Sequence, residues 1–324
     1  MTTPSECSNA AVIPHFISRY GSFAVFTHLH PDGDALGSSY ALTVLLRALG
    51  KRAETVLLEP PPAKYVFPEF DELYTVLSDA ALGQYEAAIA VDCAAVRRLG
   101  AAQAVFAERP DLSIDHHVSN DCFAQVNYVE DAPATSQIIF KLFSDYEIPL
   151  DTAAQIAIYM GITTDTGNLT YSSTTPEAFR ICYELSEMGL NTSAVAEQIH
   201  NTRSWAATEL IAEFIRSIRL HCDGRFALGF LSLDELKRLG ATTADTESLV
   251  NYARDVETVQ VACFLREIRP ECYKVSLRSK GIDVAALAAR YGGGGHRRAA
   301  GCVMQGRLDS ISKELVEAAE ELLV

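Results

Sequence analysis

The sequence predicts an α/β protein: a mainly parallel sheet flanked by helices, joined by a helical connector to a smaller α+β domain. Three observations predict it. Short apolar runs of strand formers alternate with stretches of helical spacing through the first half of the chain, the pattern of strands crossed over by helices. Several of those apolar runs end in Asp or His just before a turn. After Arg219 the character changes to closely spaced strands around Asp223-Gly224, a hairpin signal. With 324 residues there is room for about two domains. The boundaries read as 1–190 for the first domain, 191–218 for the connector and 219–324 for the second.

In chain order, Phe23 to Phe26 is an apolar strand, Pro31 and Gly33 break regularity, and from Ala35 onward Leu42, Leu45, Leu46 and Leu49 carry a helix. The turn between them holds His28, Asp32 and Asp34. Ala53 to Leu58 is a second strand, and Glu59-Pro60-Pro61-Pro62 opens a loop through Tyr65, Phe67, Pro68 and Phe70. Tyr85 to Cys93 forms a strand ending in Val91-Asp92, and Leu112 to Ile114 another ending in Asp115-His116-His117. Ala124 to Val129 alternates like a further strand, and Ala134 to Tyr146 reads as an amphipathic helix. Asp151 caps the next helix, which runs into a turn, Gly161 to Gly167, that holds Asp165. Helical patterns follow over Thr175 to Gly189 and Thr192 to about Ile218, the latter carrying the single tryptophan, Trp205, as a packing anchor.

In the second domain, Arg219 to Cys222 pairs with Phe226 to Leu231. Val259 to Glu267 and Tyr273 to Ser279 are further strands, and Asp283 to Tyr291 is a helix. Near the end lies Gly292-Gly293-Gly294-Gly295-His296-Arg297-Arg298. Four consecutive glycines lose much backbone entropy on folding. They suggest a close backbone approach, such as amides around a phosphate, set against the plainer reading of a flexible loop with a basic tail.

The composition excludes some classes. A hydrophobic share of 48% with 21% charged residues argues against disorder. A net charge of -15 argues against binding long duplex nucleic acid, because that affinity comes from many Lys and Arg neutralising phosphates. None of the eight cysteines is spaced C-x-x-C, so they read as small core residues rather than disulfides or zinc ligands, which fits a cytoplasmic protein. Met1 to Ala10 lacks an apolar signal core and no run reaches a membrane span, so a membrane role is not expected.

The chemistry lies in the strand ends. Two aspartates one residue apart, with an imidazole four residues before the first, are costly unless something cationic neutralises them. The plainer reading makes Asp34 a helix cap, Asp32 a turn former and His28 a strand-end residue. Together, His28, Asp32, Asp34, Asp92, His116 and Asp165 supply oxygen and nitrogen donors enough for two metals. A carboxylate-rich set without thiolate suits Mn2+, two per site. Two divalent ions close together suit phosphoester hydrolysis. Arg97 and Arg98, five and six residues past Asp92, could reach a phosphate or be ordinary surface arginines.

These motifs resemble a known family. His28-x-x-x-Asp32-x-Asp34, Asp92, Asp115-His116-His117 and Gly-Ile-Thr-Thr-Asp165 resemble the four ordered motifs of the DHH phosphoesterase superfamily. Gly292 to Gly301 is similar to the glycine-rich motif of its DHH-associated C-terminal domain. The branch it most resembles is the nanoRNase type, bifunctional oligoribonucleases and pAp phosphatases, which also includes cyclic dinucleotide phosphodiesterases. The resemblance implies a manganese-dependent hydrolase that cuts short oligoribonucleotides and linear dinucleotides to 5′-mononucleotides and dephosphorylates pAp to AMP. The alternatives are a cyclic di-AMP phosphodiesterase and, from another class, an inactive nucleotide-binding regulator.

Carried onto this chain, the resemblance implies one manganese on His28 and Asp32, the other on Asp34, His116 and Asp165, and Asp92 bridging them. His117 would sit beside the metals or donate a proton, with Asp115 orienting the histidine pair. Arg278, Ser279, Gly293, Gly294, Gly295 and His296 would hold substrate. Family members are often dimers, so a homodimer is compatible with the resemblance, and the sequence itself does not read out the oligomeric state.

Overall fold

Strand order explains where the polar residues of the first unit gather. The computed structural model describes residue 9 and residues 11–77, 85–246 and 248–323. The chain divides into two units, Met1–Thr202 and Arg203–Val324. In the first, α1 (Val12–Arg19) precedes β1 (Ser22–Phe26), α2 (Gly33–Ala48), β2 (Arg52–Leu57), β3 (Tyr74–Val76), β4 (Ala87–Val91), α3 (Ala102–Ala107), β5 (Asp111–Asp115) and β6 (Val126–Val129). Then come α4 (Thr135–Asp145), α5 (Thr152–Asp165), α6 (Pro176–Glu187) and α7 (Thr192–Ala196). The sheet has the order β3-β2-β1-β4-β5-β6, with every pair parallel.

β1, β4 and β5 are buried along their whole length; β1 and β4 therefore read as near-continuous apolar runs, while β5, Asp-Leu-Ser-Ile-Asp, alternates polar and apolar residues although both its faces are covered. Connections diverge between β1 and β4, and the crevice beyond the carboxyl ends at such a point is where ligands of open α/β sheets bind. Register aligns those ends: Phe26 lies opposite Ala90, and Val91 opposite Ile114. His28, Asp92 and Asp115-His116 therefore leave the sheet side by side.

The helices behind them pack closely. α2 is buried from Gly33 through Leu46, and it meets α5 backbone to backbone. A Cβ added at Gly37 would lie 2.3 Å from the Ala157 carbonyl oxygen, and one at Gly161 would lie 1.9 Å from Ser136 Oγ and 2.5 Å from Asp34 Oδ1. Only glycine fits there.

Some expectations need correction. Residues 161–165 form the last turn of α5 rather than a loop, so Asp165 is a helix residue. The Thr163 and Thr164 hydroxyls donate to the Tyr159 and Met160 carbonyls at 2.8 and 2.9 Å, which keeps these polar side chains compatible with the helix. β3 is an unanticipated edge strand of three residues. Tyr65, Phe67 and Phe70 pack in the core from short 3-10 turns. Cys93, Cys182, Cys263, Cys272 and Cys302 are buried free thiols, but Cys122 is disulfide-bonded, against the expectation from spacing. Cys7 and the rest of Met1 to Ala10, save residue 9, lie outside the described residues.

The second unit opens with α8 (Trp205–Ser217), where Trp205, the first helical residue, is 74% exposed and not a packing anchor. Then follow β7 (Arg219–His221), β8 (Phe226–Leu231), α9 (Leu233–Leu239), α10 (Leu249–Arg254), β9 (Val261–Arg269), β10 (Cys272–Ser279), α11 (Val284–Arg290), β11 (Gly294–His296), β12 (Ala299–Gln305) and α12 (Leu308–Leu323). The sheet order is β11-β12-β10-β9-β8-β7, antiparallel except for β8 and β9. One apolar core involves α11 and α12, and another α8, α9 and α10. The glycine run is an edge hairpin: Gly294 to His296 pairs with Ala299 to Gly301. Gly293 makes the close approach its composition suggested, but to its own chain, since a Cβ there would lie 2.1 Å from the Gly301 carbonyl oxygen.

Candidate metal centre

The first unit's strand ends deliver a buried set of carboxylates and imidazoles. His28, just past β1, has Nδ1 2.8 Å from the Leu29 carbonyl, so Nδ1 donates its proton and Nε2 keeps a lone pair. That Nε2 lies 3.8 Å from Asp92 Oδ2. Asp32 caps α2, its Oδ1 accepting from the Ala35 amide at 3.0 Å. Asp34, in the first turn of α2, is fully buried and gripped by α4: Oδ2 accepts from Thr135 N at 2.6 Å and Oδ1 from Ser136 N at 2.9 Å.

Asp92 follows β4 with φ of 54°, a left-handed backbone that a non-glycine residue adopts only where its surroundings impose it. Its Oδ1 accepts from Thr135 Oγ1 at 3.0 Å. His116 has Nδ1 2.9 Å from the Ala132 carbonyl, which leaves Nε2 3.4 Å from Asp92 Oδ1 and 3.3 Å from Asp165 Oδ2. Asp115 is fully buried. Its Oδ1 accepts from His116 N and His117 Nδ1, both at 2.8 Å, and its Oδ2 from Asn120 Nδ2 at 2.6 Å.

Two groups result, His28 with Asp32 and Asp92, and Asp34 with His116 and Asp165. In each, ligand atoms lie within 4.8 Å of one another. A third group joins Asp92 to Asp115, His116 and His117.

Crowding sets the electrostatics. Burial, then the Asp92 charge, pushes the Asp34 carboxyl up to about 7. Burial, then the Asp34, Asp32 and Asp92 charges, holds Asp165 well above the usual carboxylate range. Burial would raise Asp32 as well, but the His28 imidazole and the Ala35 amide outweigh it and leave the carboxyl below its ordinary value. Burial would lower His117, yet its hydrogen bond to Asp115 and the Asp92 charge bring it up to about 9.

Among the described residues, every ion pair these carboxylates make is with an imidazole. Cys93 adds no thiolate, because burial pushes its thiol up to about 12 and Sγ donates to the Ala95 carbonyl. Clustered carboxylates and imidazoles without a thiolate fit hard or borderline divalent cations.

The comparisons agree with this chemistry. Residues 22–162 match the DHH family N-terminal domain, and residues 226–323 match the DHHA1 domain. The bifunctional oligoribonuclease and PAP phosphatase NrnA of Thermus thermophilus is 32% identical over 94% of this chain and 90% of its own length. The chain belongs to the DHH family of phosphoesterases. A crystal structure of an exopolyphosphatase-related protein from Bacteroides fragilis is 26% identical with a TM-score of 0.86, covering 96% of this chain and 95% of that one. RecJ from Thermus thermophilus, in complex with Mn2+, shares the fold at 14% identity and a TM-score of 0.55, covering 96% of this chain and 54% of that one. Like other DHH proteins, the chain is a hydrolase of phosphoester bonds. No helix among the described residues is long and apolar enough to cross a membrane.

Some DHH-domain residues escape a reading of the sequence. Thr135 and Ser136 hold Asp34 largely through backbone amides, which carry no residue signature. Asn120, three residues past His117, braces Asp115 and was detectable as a polar residue just beyond the motif. Gly33 and Gly37, four apart as Ala157 and Gly161 are, carried a spacing signal for close helix packing. In the DHHA1 unit, Arg278 lies on β10 with Nη1 3.0 Å from the Leu277 carbonyl, and residues 294–298 are exposed. Ser279 is buried, its hydroxyl donating to the Ile282 carbonyl at 2.5 Å.

Proposed function

We propose that this phosphoesterase uses two manganese ions to hydrolyse short oligoribonucleotides and linear dinucleotides to 5′-mononucleotides, and to remove the 3′-phosphate of pAp. The observation that carries the reading is the pair of three-residue donor groups at one set of strand ends, in a chain whose relative over nearly its full length has those two activities in its name. His28 and Asp32 would hold one ion, Asp34, His116 and Asp165 the other, and Asp92 both. When bound, the ions supply positive charge to the phosphoryl group and ease deprotonation of water.

The remaining steps fall to the protein. The Thr135 and Ser136 amides fix the Asp34 carboxylate, and the Ala132 carbonyl orients His116 with Nε2 inward. Asp115 fixes His117 through Nδ1, which leaves Nε2 to give a proton to the departing oxygen. No side chain needs to form a covalent intermediate. Arg278, Gly293, Gly294, Gly295 and His296 of the second unit are assigned to the substrate's base and phosphate. Ser279 is assigned with them, its hydroxyl also donating to the Ile282 carbonyl. The net charge of -15 favours short substrates over long strands.

The test is hydrolysis of pApA, a five-nucleotide RNA, pAp and cyclic di-AMP, side by side, by protein stripped of metal and resupplied with Mn2+. Turnover of pApA and pAp with little of the cyclic compound is the expected result. Comparable cleavage of cyclic di-AMP overturns it in favour of a signalling phosphodiesterase, and no cleavage with any metal in favour of a binding protein.

A further inference from the structure

The first unit contains ten Lys and Arg residues, and nine have a partner within the protein. Arg47, Lys51 and Arg109 donate to backbone carbonyls. Arg97, Lys141 and Arg180 pair with carboxylates, and Arg19, Arg52 and Lys64 lie over tyrosine rings. Arg98 alone makes no ion pair, side-chain hydrogen bond or ring contact among the described residues. It is nonetheless half-buried, while its neighbour Arg97 is exposed and 3.6 Å from Asp121.

A half-buried guanidinium without a partner gives up hydration and gets nothing back from the protein, so its position calls for a reason. The backbone supplies one. Arg98 sits in a 3-10 turn, Val96–Leu99, that follows Asp92. Its carbonyl accepts from Leu29 N at 2.8 Å, which ties the turn to the loop bearing His28 and Asp32. Gly100 ends the turn at φ 53° and ψ -129°, a conformation open to glycine, and a Cβ there would lie 2.8 Å from Leu29 Cδ1. The turn thus clasps Leu29 from both sides. Arg98 is held beside the loop that bears His28 and Asp32, and its charge acts on both Asp32 and His117.

We infer that Arg98 is a substrate-binding residue whose guanidinium takes a phosphate of the substrate beside the metal centre. A guanidinium is always charged and offers two parallel N–H donors that match phosphate oxygens, so it can wait unpaired for a planar, doubly hydrogen-bonded ligand. It also lowers the cost of bringing an anion toward so many carboxylates. The neighbouring Arg97, paired at the surface, has no such task. The inference rests on the phosphoesterase reading for its substrate but not for its phosphate.

The test compares Arg98→Gln and Arg98→Lys with the parent protein, all full length and Mn2+-loaded. Melting temperature and Mn2+ affinity should not change. For pAp, KM should rise ~10- to 100-fold in Arg98→Gln, the loss of a charged hydrogen-bond pair, with a smaller change in kcat. Arg98→Lys should recover part of that, since it restores charge without the fork. Inorganic phosphate, measured by titration calorimetry on the same proteins, should lose affinity in the same order. If the parent cleaves neither pAp nor pApA, the proposed activity is wrong and the phosphate titration alone decides on Arg98. Unchanged KM and phosphate affinity in Arg98→Gln overturns the inference, as does a loss of melting temperature or Mn2+ affinity that accounts for the whole defect.

Discussion

Replacing Gly37 with alanine tests whether helix packing sets the geometry of the metal centre. The new Cβ would stand 2.3 Å from the Ala157 carbonyl oxygen, where ordinary contact begins near 3.4 Å. The obstacle is backbone, so no rotamer change relieves it, and α2 and α5 must separate by about 1 Å. Overpacking of this kind costs ~1–3 kcal/mol. In a unit of this size each kcal/mol lowers the melting temperature by ~2–4 °C, so a fall of roughly 2–12 °C is expected in calorimetry. The larger effect should be on turnover. α2 begins with Asp32 and Asp34 and α5 ends with Asp165, and a displacement of ~1 Å among groups that position a reaction can cost ~100-fold in rate. Hydrolysis of pApA at 25 °C, well below the melting transition, reads this directly. Gly281→Ala is the control, because nothing lies within 4 Å of its Cβ position. Gly37→Ala with a melting temperature within ~1 °C and turnover within twofold of the parent would refute the reasoning. A stability loss without a turnover loss would break the link from packing to site.

Three further outcomes follow from the same geometry. Asp92→Asn should lower turnover at least ~100-fold and weaken Mn2+ binding by calorimetry, since the carboxylate belongs to the group with His28 and Asp32 and its Oδ1 lies 3.4 Å from His116 of the other; retained Mn2+ affinity would remove it from the shared role. Asp115→Asn should cut kcat ~10- to 100-fold with a smaller effect on Mn2+ affinity, because it loosens His117 and the His116 amide but removes no ligand from either three-residue group, and an unchanged kcat would discard the proton-donor assignment. In metal-free protein, stability should fall between pH 5 and 8. The Asp34 carboxyl titrates near 7 in the fold against 3.8 unfolded, so the native state binds the extra proton and loses that advantage as pH rises through 7. From pH 5 to 8 this group alone accounts for about 3 kcal/mol, Asp165 shifts the same way, and Mn2+ should restore the loss at pH 8. A metal-free melting temperature that stays level across that range would contradict the buried-carboxylate account.

How much of this was legible in the sequence depends on what kind of group carries each feature. β1 and β4 could be read because strands covered on both faces are near-unbroken apolar runs, β5 could be read only through Leu112 and Ile114, and the Asp or His that follows each could be read with them. β3 and β11, with three residues each, are too short to display a period. Asp165 falls in the stretch from Gly161 to Gly167, which reads as a turn. In the fold Gly161 makes room for Ser136 and Asp34, and Thr163 and Thr164 bond back to their own helix. The disulfide at Cys122 has no spacing signature at all. Arg97 and Arg98 are indistinguishable as adjacent letters, and only the turn tied to Leu29 separates a surface ion pair from a half-buried cation.

The features that escaped the sequence share one physical role. Four carboxylates repel one another in a crevice from which water is largely excluded, and the fold resists that repulsion chiefly with backbone groups. The first two amides of α4 hold both oxygens of Asp34, the Ala35 amide holds Asp32, and the Ala132 carbonyl fixes His116. Thr135 connects two of these attachments, since its amide serves Asp34 and its hydroxyl serves Asp92. The start of α4 is thus bonded to carboxylates on both sides of the switch point between β1 and β4. Cations bound among them would therefore stabilise the junction of α2, α4 and α5 as well as the site. Catalytic competence and the stability of the first unit should rise together as metal is added.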